Sequence, residues 1–585
     1  MQVALTTQRI RTRTQPRNRT KIRRSKADQA AEAEQSSAGG TQHVRKQAGM
    51  LIPASCVSMT QSNPPSVRDS FPQTWSRLPA QIKSECLEES IPPETFPERL
   101  LASAKKIPGY LPDLAGLERA LHAAEQNPGP GSSSGGRLTI NPGLQLLQVA
   151  WSGLPELLRG EDVADTLQQE EATLLVWRKP GSAETQVRKA SQRDLLALKI
   201  AAEGLDPLEV AREHGRSCFA ILALLREARS DGLVQGPISA IQSDLPNVGT
   251  SADGTEKHTE VAIFTLQWHL TQACDLHCRH CYDRSKRSSL PLDKAVAALE
   301  DFVDFCTRHR VQAQISFSGG NPLLYPDFFL LYEAAATAGC ITAILGNPCE
   351  RAVLERLAAI QRPAFYQVSL EGLAPQDDWM RQPGHFQRTL DFLTLLQDLD
   401  IPSRVMLTLT ESNLNQVLPL ADVLRDRTDR FTFNRLSLVG EGAGLRLPAP
   451  GTYHAFLRDY LAAAASNPVL GLKDNLLNAV LFEQGRPLFG GCTGYGCGAA
   501  FNFLALLPDG ELHACRKFPS SLGNVFEDGF DACYESPQAK AYRRGPAECE
   551  SCPVQSVCRG CLAIISSLGL DVGTDRDPFC PLKNP

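Results

Sequence analysis

Three cysteines stand in the run CDLHCRHC, residues 274–281, at the spacing C-x3-C-x2-C, with His277 and His280 between them. Three thiolates so placed can ligate three irons of a [4Fe–4S] cluster and leave the fourth iron open to a substrate or cosubstrate. Zinc is the rival chemistry, because Cys274, Cys278 and Cys281 with His277 or His280 supply the four ligands of a closed tetrahedral site. The run ISFSGGNP bears on the choice. Gly319 and Gly320 leave the backbone bare where a ligand can approach closely, and a zinc knuckle has no use for that. A second concentration of thiols lies near the other end of the chain. Cys492, Cys497, Cys515, Cys549, Cys552, Cys558, Cys561 and Cys580 are enough to ligate two more [4Fe–4S] clusters completely, while the C-x2-C pairs Cys549 with Cys552 and Cys558 with Cys561 also have the form of a zinc ribbon. Cys56, Cys86, Cys218, Cys306, Cys340, Cys349 and Cys533 fit no cluster spacing and read as structural or free thiols.

These residues need elements to hold them. A chain of 585 residues has room for about two to four domains, and its formal net charge of -5 gives no global argument for binding nucleic acid or a membrane. No apolar run is long enough to span a bilayer and no signal peptide opens the chain. With 18 cysteines in so long a sequence, this predicts a cytoplasmic protein whose thiols bind metal or clusters rather than pair as disulfides. Over 261–450 the strand-like pieces FTLQWHL, AQISFS, ITAIL, FYQVSL, RVMLTLT and FTFNRLSL alternate with helical stretches. The expected fold class is therefore α/β: six β/α repeats forming a parallel sheet with outer helices, its site at the C-terminal edge of the strands. The helix over 291–308 is expected to bury Val296, Leu299, Val303 and Cys306, and that over 351–361 to bury Val353, Leu357 and Ile360.

Ahead of this core, residues 1–65 are basic and poor in bulky apolar side chains, so disorder is expected there, with Met50 and Met59 as alternative starts. A helical module over 66–126 and a Gly/Ser linker over 127–137 follow. Residues 138–240 combine a hairpin around Pro180-Gly181 with helices that resemble a helix-turn-helix with a winged neighbour. In this winged-helix-like module the would-be recognition helix, SCFAILALLREARSDG, sets Glu227 and Asp231 beside Arg226 and Arg229. That is a poor phosphate-facing surface, so a peptide partner, taken as an added strand on the hairpin edge, is expected in preference to DNA. A linker over 241–260 precedes the core; a helical connector over 451–490 and the cysteine-rich region 491–585 follow it.

Taken together, Cys274, Cys278, Cys281, the aromatic Tyr282 and the run Gly319-Gly320-Asn321-Pro322 resemble the radical SAM superfamily, whose glycine motif contacts the methionine part of S-adenosylmethionine. Asn321 stands where that family usually has Glu, which leaves the backbone part of the contact. The resemblance implies a partial (β/α)6 barrel, a ribose contact at Ser369 with Glu371 close by in VSLEG, and Arg404 as a grip on the cosubstrate carboxylate. The tail, with Gly510 and Cys515 in LALLPDGELHAC followed by CESCPVQSVCRGC, resembles the SPASM extension of peptide-modifying radical SAM enzymes, although two residues, not the usual three, separate Cys558 from Cys561. By that analogy Cys492, Cys497, Cys515 and Cys561 hold one auxiliary [4Fe–4S] cluster, and Cys549, Cys552, Cys558 and Cys580 the other. With all eight as ligands neither cluster keeps an open iron for a substrate thiolate. The implied activity is reductive cleavage of S-adenosylmethionine to a 5′-deoxyadenosyl radical that takes a hydrogen from the substrate, driven by a reductant such as flavodoxin or ferredoxin. The linked runs ILGNP and FNRLSLVGEGAGLRLP look most like maturases of ribosomally made precursor peptides, within these those of thio- or selenooxazole and selenobiotic type, which implies a Cys- or Sec-containing target. Two other classes stay open: an activating enzyme acting on a folded protein, as sulfatase maturases do, and an iron–sulfur redox-sensing transcription regulator.

Overall fold

The computed structural model describes residues 66–126, 137–159, 161, 167–179, 181–182, 184–245 and 258–582. The basic extension 1–65 and its alternative starts, and residues 127–136 and 246–257 of the linkers expected at 127–137 and 241–260, lie outside the described residues. Fourteen strands run in chain order among those described: β1 Thr139–Ile140, β2 Gln145–Trp151, β3 Gln169–Arg178, β4 Thr185–Lys189, β5 Val234–Gln235, β6 Ile263–Thr271, β7 Gln312–Gly319, β8 Ile341–Leu345, β9 Tyr366–Ser369, β10 Ser403–Leu409, β11 Arg430–Arg435, β12 Phe503–Leu506, β13 Glu511–His513 and β14 Ser521–Asn524.

All six strands expected in the core form, and β6 to β11 pair in sequence order, every pair parallel. They alternate unlike an ordinary buried parallel sheet. On β7, Ile315 and Phe317 face the outer helices while Gln314, Ser316 and Ser318 line a cavity; on β6, Leu266 and Trp268 pack outward while Thr265 and Gln267 line it. A polar inner face is what a sheet curled round a ligand space requires, because side chains that filled it would have to be apolar. The tail then extends the same sheet. β12 lies parallel to β6, with Phe503 opposite Thr265, and β13 and β14 continue as an antiparallel meander.

The helix Leu292–Arg308 buries Ala295, Ala298, Leu299, Phe302, Phe305 and Cys306, whereas Val296 and Val303 are only half-buried. The expected stripe is thus rotated. Phe302 and Phe305 claim the centre because their rings pack on Phe264 and Phe530, and an aromatic ring buries far more area than a valine. In the helix Arg351–Ile360 the buried residues are Leu354 and Leu357, and Val353 and Ile360 sit at the flanks.

The described residues between 66 and 245 are layered about a small sheet. β2, β3 and β4 form an antiparallel sheet in that order, and successive side chains of β3 face opposite ways. Leu174 and Val176 join the core of the helices before the sheet, including Leu111, Leu114 and Leu117 of Leu111–Gln126, while Leu175 and Trp177 join the core that continues through the helices after it into the barrel. The three later helices are Gln192–Glu203, Pro207–Glu213 and Cys218–Ser230. The last, the would-be recognition helix, buries Phe219, Ile221, Leu222, Leu224 and Leu225, and Arg226 donates to the carbonyl of Arg310 in the barrel. Its apolar side chains are used up inside the molecule. Among the described residues no helix is long and apolar enough to cross a membrane.

Candidate functional site

The cysteine loop follows directly from the end of β6. Gly319 at the end of β7 has φ +130, and a Cβ there would meet the Thr271 carbonyl at 2.4 Å; a Cβ on Gly320 would meet the Ala273 carbonyl at 2.3 Å. Only glycine lets these two strand ends lie so close. The amides of Gly320 and Asn321 donate to the carbonyls of Thr271 and Ala273, both at 2.8 Å, so the glycine run is stitched to the approach to Cys274. Asp275 finishes the join, accepting from Asn321 Nδ2 at 3.0 Å and Asn347 Nδ2 at 2.6 Å. Asn321 also caps the short helix Pro322–Leu324 through Leu323 N. Its side chain is therefore spent on scaffold, with Pro322 buried beneath it.

Cys274, Cys278 and Cys281 all line one cavity of about 940 Å³, and each thiol has its own neighbour. Asn347 Nδ2 approaches Cys274 Sγ at 3.7 Å, Arg381 Nη1 approaches Cys278 Sγ at 3.6 Å, and Cys281 donates to the Asp283 carbonyl at 3.2 Å. Burial raises the Cys278 thiol above its ordinary value, with the Arg381 charge opposing. A cation beside a cysteine is what a thiolate ligand needs.

Beneath the loop lies a buried network. Arg381 Nη2 donates to Glu371 Oε1 at 2.6 Å, Glu371 Oε2 accepts from Thr408 N at 2.7 Å, and His280 Nε2 lies 3.4 Å from Glu371 Oε1. Burial alone would raise the Glu371 carboxyl, but His280 and Arg381 hold it below the usual value, and burial takes His280 down to about 4. Glu371 is wholly buried and absent from the cavity wall. It braces the cysteine loop, whereas Ser369, two residues earlier, does line the cavity. Arg404 is the second residue of β10, four residues and about 13 Å along the strand from Thr408. Its guanidinium sits 3.7 Å from the centroid of the Phe365 ring, and Arg404 lines the same cavity as the three loop cysteines.

Tyr282 is half-buried between the Arg516 guanidinium, 5.6 Å from its ring, and His269 at 6.1 Å. Asp283, the next residue, forms an ion pair with Arg516, which neighbours Cys515. The loop at the barrel mouth is thereby tied to the tail.

The eight tail cysteines separate into two places. Cys492, Cys497, Cys515 and Cys561 line the same large cavity as the three-cysteine loop; Cys549, Cys552, Cys558 and Cys580 line a second cavity of about 20 Å³. Burial pushes Cys515 up to about 11 and Cys561 and Cys549 up to about 12, as expected of thiols that ionise only when a metal takes the charge. Among the described residues no three His, Cys, Asp or Glu side chains converge as a single metal ion would need.

Residues 268–424 match the model of the radical SAM superfamily, and residues 497–562 that of SPASM, an iron–sulfur cluster-binding domain. The chain carries a radical SAM domain and a SPASM domain. Cys492 and Cys580 lie outside the second match. A relative, the AdoMet-dependent heme synthase of Methanosarcina barkeri, is 24% identical over 54% of this chain and 95% of its own length. The mycofactocin maturase MftC of Mycobacterium ulcerans is 29% identical over 55% of this chain and 89% of its own. Among solved structures, SuiB of Streptococcus suis bound to precursor peptide SuiA aligns over 70% of this chain and 97% of that one, at 17% identity and a TM-score of 0.46.

The donor sets suit the groups these domains hold: three thiols on one cavity wall with a glycine cradle beside them in the radical SAM domain, and two sets of four thiols in and beside the SPASM domain. Sequence reasoning missed Arg381, Asn347 and Asp275. The run GNP carries the signal for Asn347, since a Cβ on Gly346 would meet the Tyr366 hydroxyl at 3.0 Å; Arg381, in the helical run APQDDWMR, carries none.

Proposed function

We propose that the protein is a radical SAM peptide maturase, modifying a ribosomally made precursor peptide at a Cys- or Sec-containing site of the selenobiotic type. The observation that carries this reading is the single cavity shared by Cys274, Cys278, Cys281, Gly319, Gly320, Ser369 and the quartet of Cys492, Cys497, Cys515 and Cys561. A site for S-adenosylmethionine and a site for an electron-accepting cluster thus face one substrate space. When bound, the cluster and S-adenosylmethionine supply a carbon-centred radical able to take a hydrogen atom from an unactivated C–H bond.

The chain's own residues do the rest. Cys274, Cys278 and Cys281 hold the first cluster, Gly319 and Gly320 leave room for the methionine part, and Ser369 meets the ribose. Arg381 and Glu371 would fix Cys278, and Asn347, held by Asp275, would fix Cys274, as ligands of the first cluster. Two auxiliary [4Fe–4S] sites, one per quartet, bring the total to about twelve irons. The edge strand β4, paired among the described residues with β3 alone, offers a place for a leader segment to add as a strand. Holding the leader there would position the reacting residue in the cavity. A flavodoxin- or ferredoxin-type donor supplies the electron.

Anaerobic enzyme with dithionite, S-adenosylmethionine and the short peptide encoded beside its gene tests this directly. The expected result is 5′-deoxyadenosine together with a mass change in the peptide. Cleavage with no change in that peptide, but turnover of a folded protein or a tetrapyrrole added instead, would replace the reading.

A further inference from the structure

Two arginines are fully buried among the described residues, Arg435 at 4% exposure and Arg559 at 3%. Their surroundings are opposite. Arg435 donates to Asp474 at 2.8 Å and to both oxygens of Asp577 at 3.0 and 2.7 Å, which is how a protein ordinarily tolerates a guanidinium away from water. No carboxylate pairs with Arg559 among the described residues. Its Nη2 donates to the carbonyls of Tyr495 at 2.9 Å and Cys497 at 2.7 Å, and its Nε has no partner. The ionisable groups that bear on it are the thiols of Cys497, Cys558 and Cys549.

A guanidinium stays charged at any ordinary pH, and burying it unpaired costs several kcal/mol. The fold goes to some length to put it there. Arg559 adopts φ +57, a left-handed conformation unfavourable for a residue with a Cβ, and Gly545 makes way for it, since a Cβ on that glycine would meet Arg559 Cδ at 2.8 Å. The side chain lines the small cavity with Cys549, Cys552, Cys558 and Cys580, while its hydrogen bonds reach Cys497 of the other quartet. Arg559 therefore stands between the two quartets and touches both.

We propose that Arg559 is a counter-charge shared by the two tail sites, a positioning residue that raises the reduction potentials of both bound clusters and couples them. The inference rests on the reading of the two quartets as cluster sites. Four thiolates on a [4Fe–4S] core leave a net negative charge, which answers the missing carboxylate. Cluster potentials follow local charge, hydrogen bonding and exposure. A fixed cation nearby favours the reduced, more negative state of each cluster. Because both share it, reduction of one consumes part of the field that favours reduction of the other.

The test uses anaerobically reconstituted full-length enzyme and the variants Arg559→Lys and Arg559→Gln, read by iron per chain and by dithionite titration followed by electron paramagnetic resonance. In Arg559→Gln both tail signals should titrate at lower potential than in the wild type, and Arg559→Lys should stay near it. If the Gln variant sheds tail iron while the Lys variant keeps it, the charge is equally implicated. Unchanged potentials in a fully loaded Gln variant, or equal losses or equal shifts in both variants, would overturn the proposal. A wild type without tail iron would instead overturn the reading on which it rests.

Discussion

The two tail quartets are built from the same residue type in the same region, yet they face different surroundings. Cys492, Cys497, Cys515 and Cys561 open on the cavity that also holds the three-cysteine loop, and Cys492 is exposed. Cys549, Cys552, Cys558 and Cys580 enclose about 20 Å³ against Leu476, Ala479 and Val554, and Cys558 is 5% exposed within the hydrophobic core. One quartet opens on the large cavity; the other lines a small one of its own. What divides them is a polar partition made of Arg559, Asp577 and Arg435. Asp577 Oδ2 accepts from Cys561 N at 3.0 Å, and Asp577 O accepts from Cys580 N at 2.9 Å, so one residue fixes a ligand of each quartet.

The largest expected effect comes from emptying the third site while sparing both quartets. With Cys274, Cys278 and Cys281 replaced by Ala, cleavage of S-adenosylmethionine should vanish and iron fall from about twelve to about eight per chain. Loss of all iron would mean that the sites assemble as one and the partition separates nothing. Next, Cys558→Ala should remove about four irons and lower the thermal midpoint, because a buried core position loses its ligand role and its packing together. Cys492→Ala, at an exposed position, should leave the midpoint unchanged and stop product formation while uncoupled cleavage continues. Equal destabilisation by both would erase the contrast in burial on which the comparison stands.

The partition itself is open to a third measurement. Asp577→Ala strips Arg435 of its bidentate partner and leaves the amides of Cys561 and Phe579 without an acceptor. Breaking a buried pair from one side costs about 3–5 kcal/mol, readable as a shift in the anaerobic urea midpoint. A cost below about 1 kcal/mol would mean that water reaches the site and that the quartets are not held apart by this pair.

Much of this arrangement is legible in the sequence, because cysteine spacing and strand alternation are local signals. All six core strands follow from short β-branched and aromatic runs, and the eight tail thiols line two cavities, four to each. What was not legible depends on distant contacts. Glu371 reads as a cavity residue until Arg381, ten positions on, is seen to turn it inward. The helix Leu292–Arg308 rotates because Phe264 and Phe530, far away in sequence, select Phe302 and Phe305 over the valines. Arg559 looks like any charged residue between two cysteines, and only burial shows it to be unpaired.

The smallest effect supplies a control from a region with no cluster ligand. Asp194, 6% exposed, accepts from Arg188 Nη2 at 2.8 Å and from the amide and hydroxyl of Ser191 at 2.8 and 2.7 Å. Burial would raise this carboxyl, but the bonds from Arg188 and Ser191 outweigh it and bring it down from 3.8 to about 2. A depressed carboxyl contributes stability that is present above its ordinary value and is lost as pH falls through the folded one. The window is therefore between pH 4 and 2, and the contribution about 2 kcal/mol. Protection of the helix Gln192–Glu203 from hydrogen exchange, taken relative to the intrinsic amide rate at each pH, should fall across that window in the wild type, and in Asp194→Asn should already be low at pH 5 and change little below it. Acid also strips iron from clusters, so the same samples separate two causes. If exchange in this helix follows iron loss equally in both proteins, the N-terminal unit owes its acid stability to the barrel and tail on which it packs, and the contrast between ordinary paired charges here and the unpaired Arg559 there would lose its control.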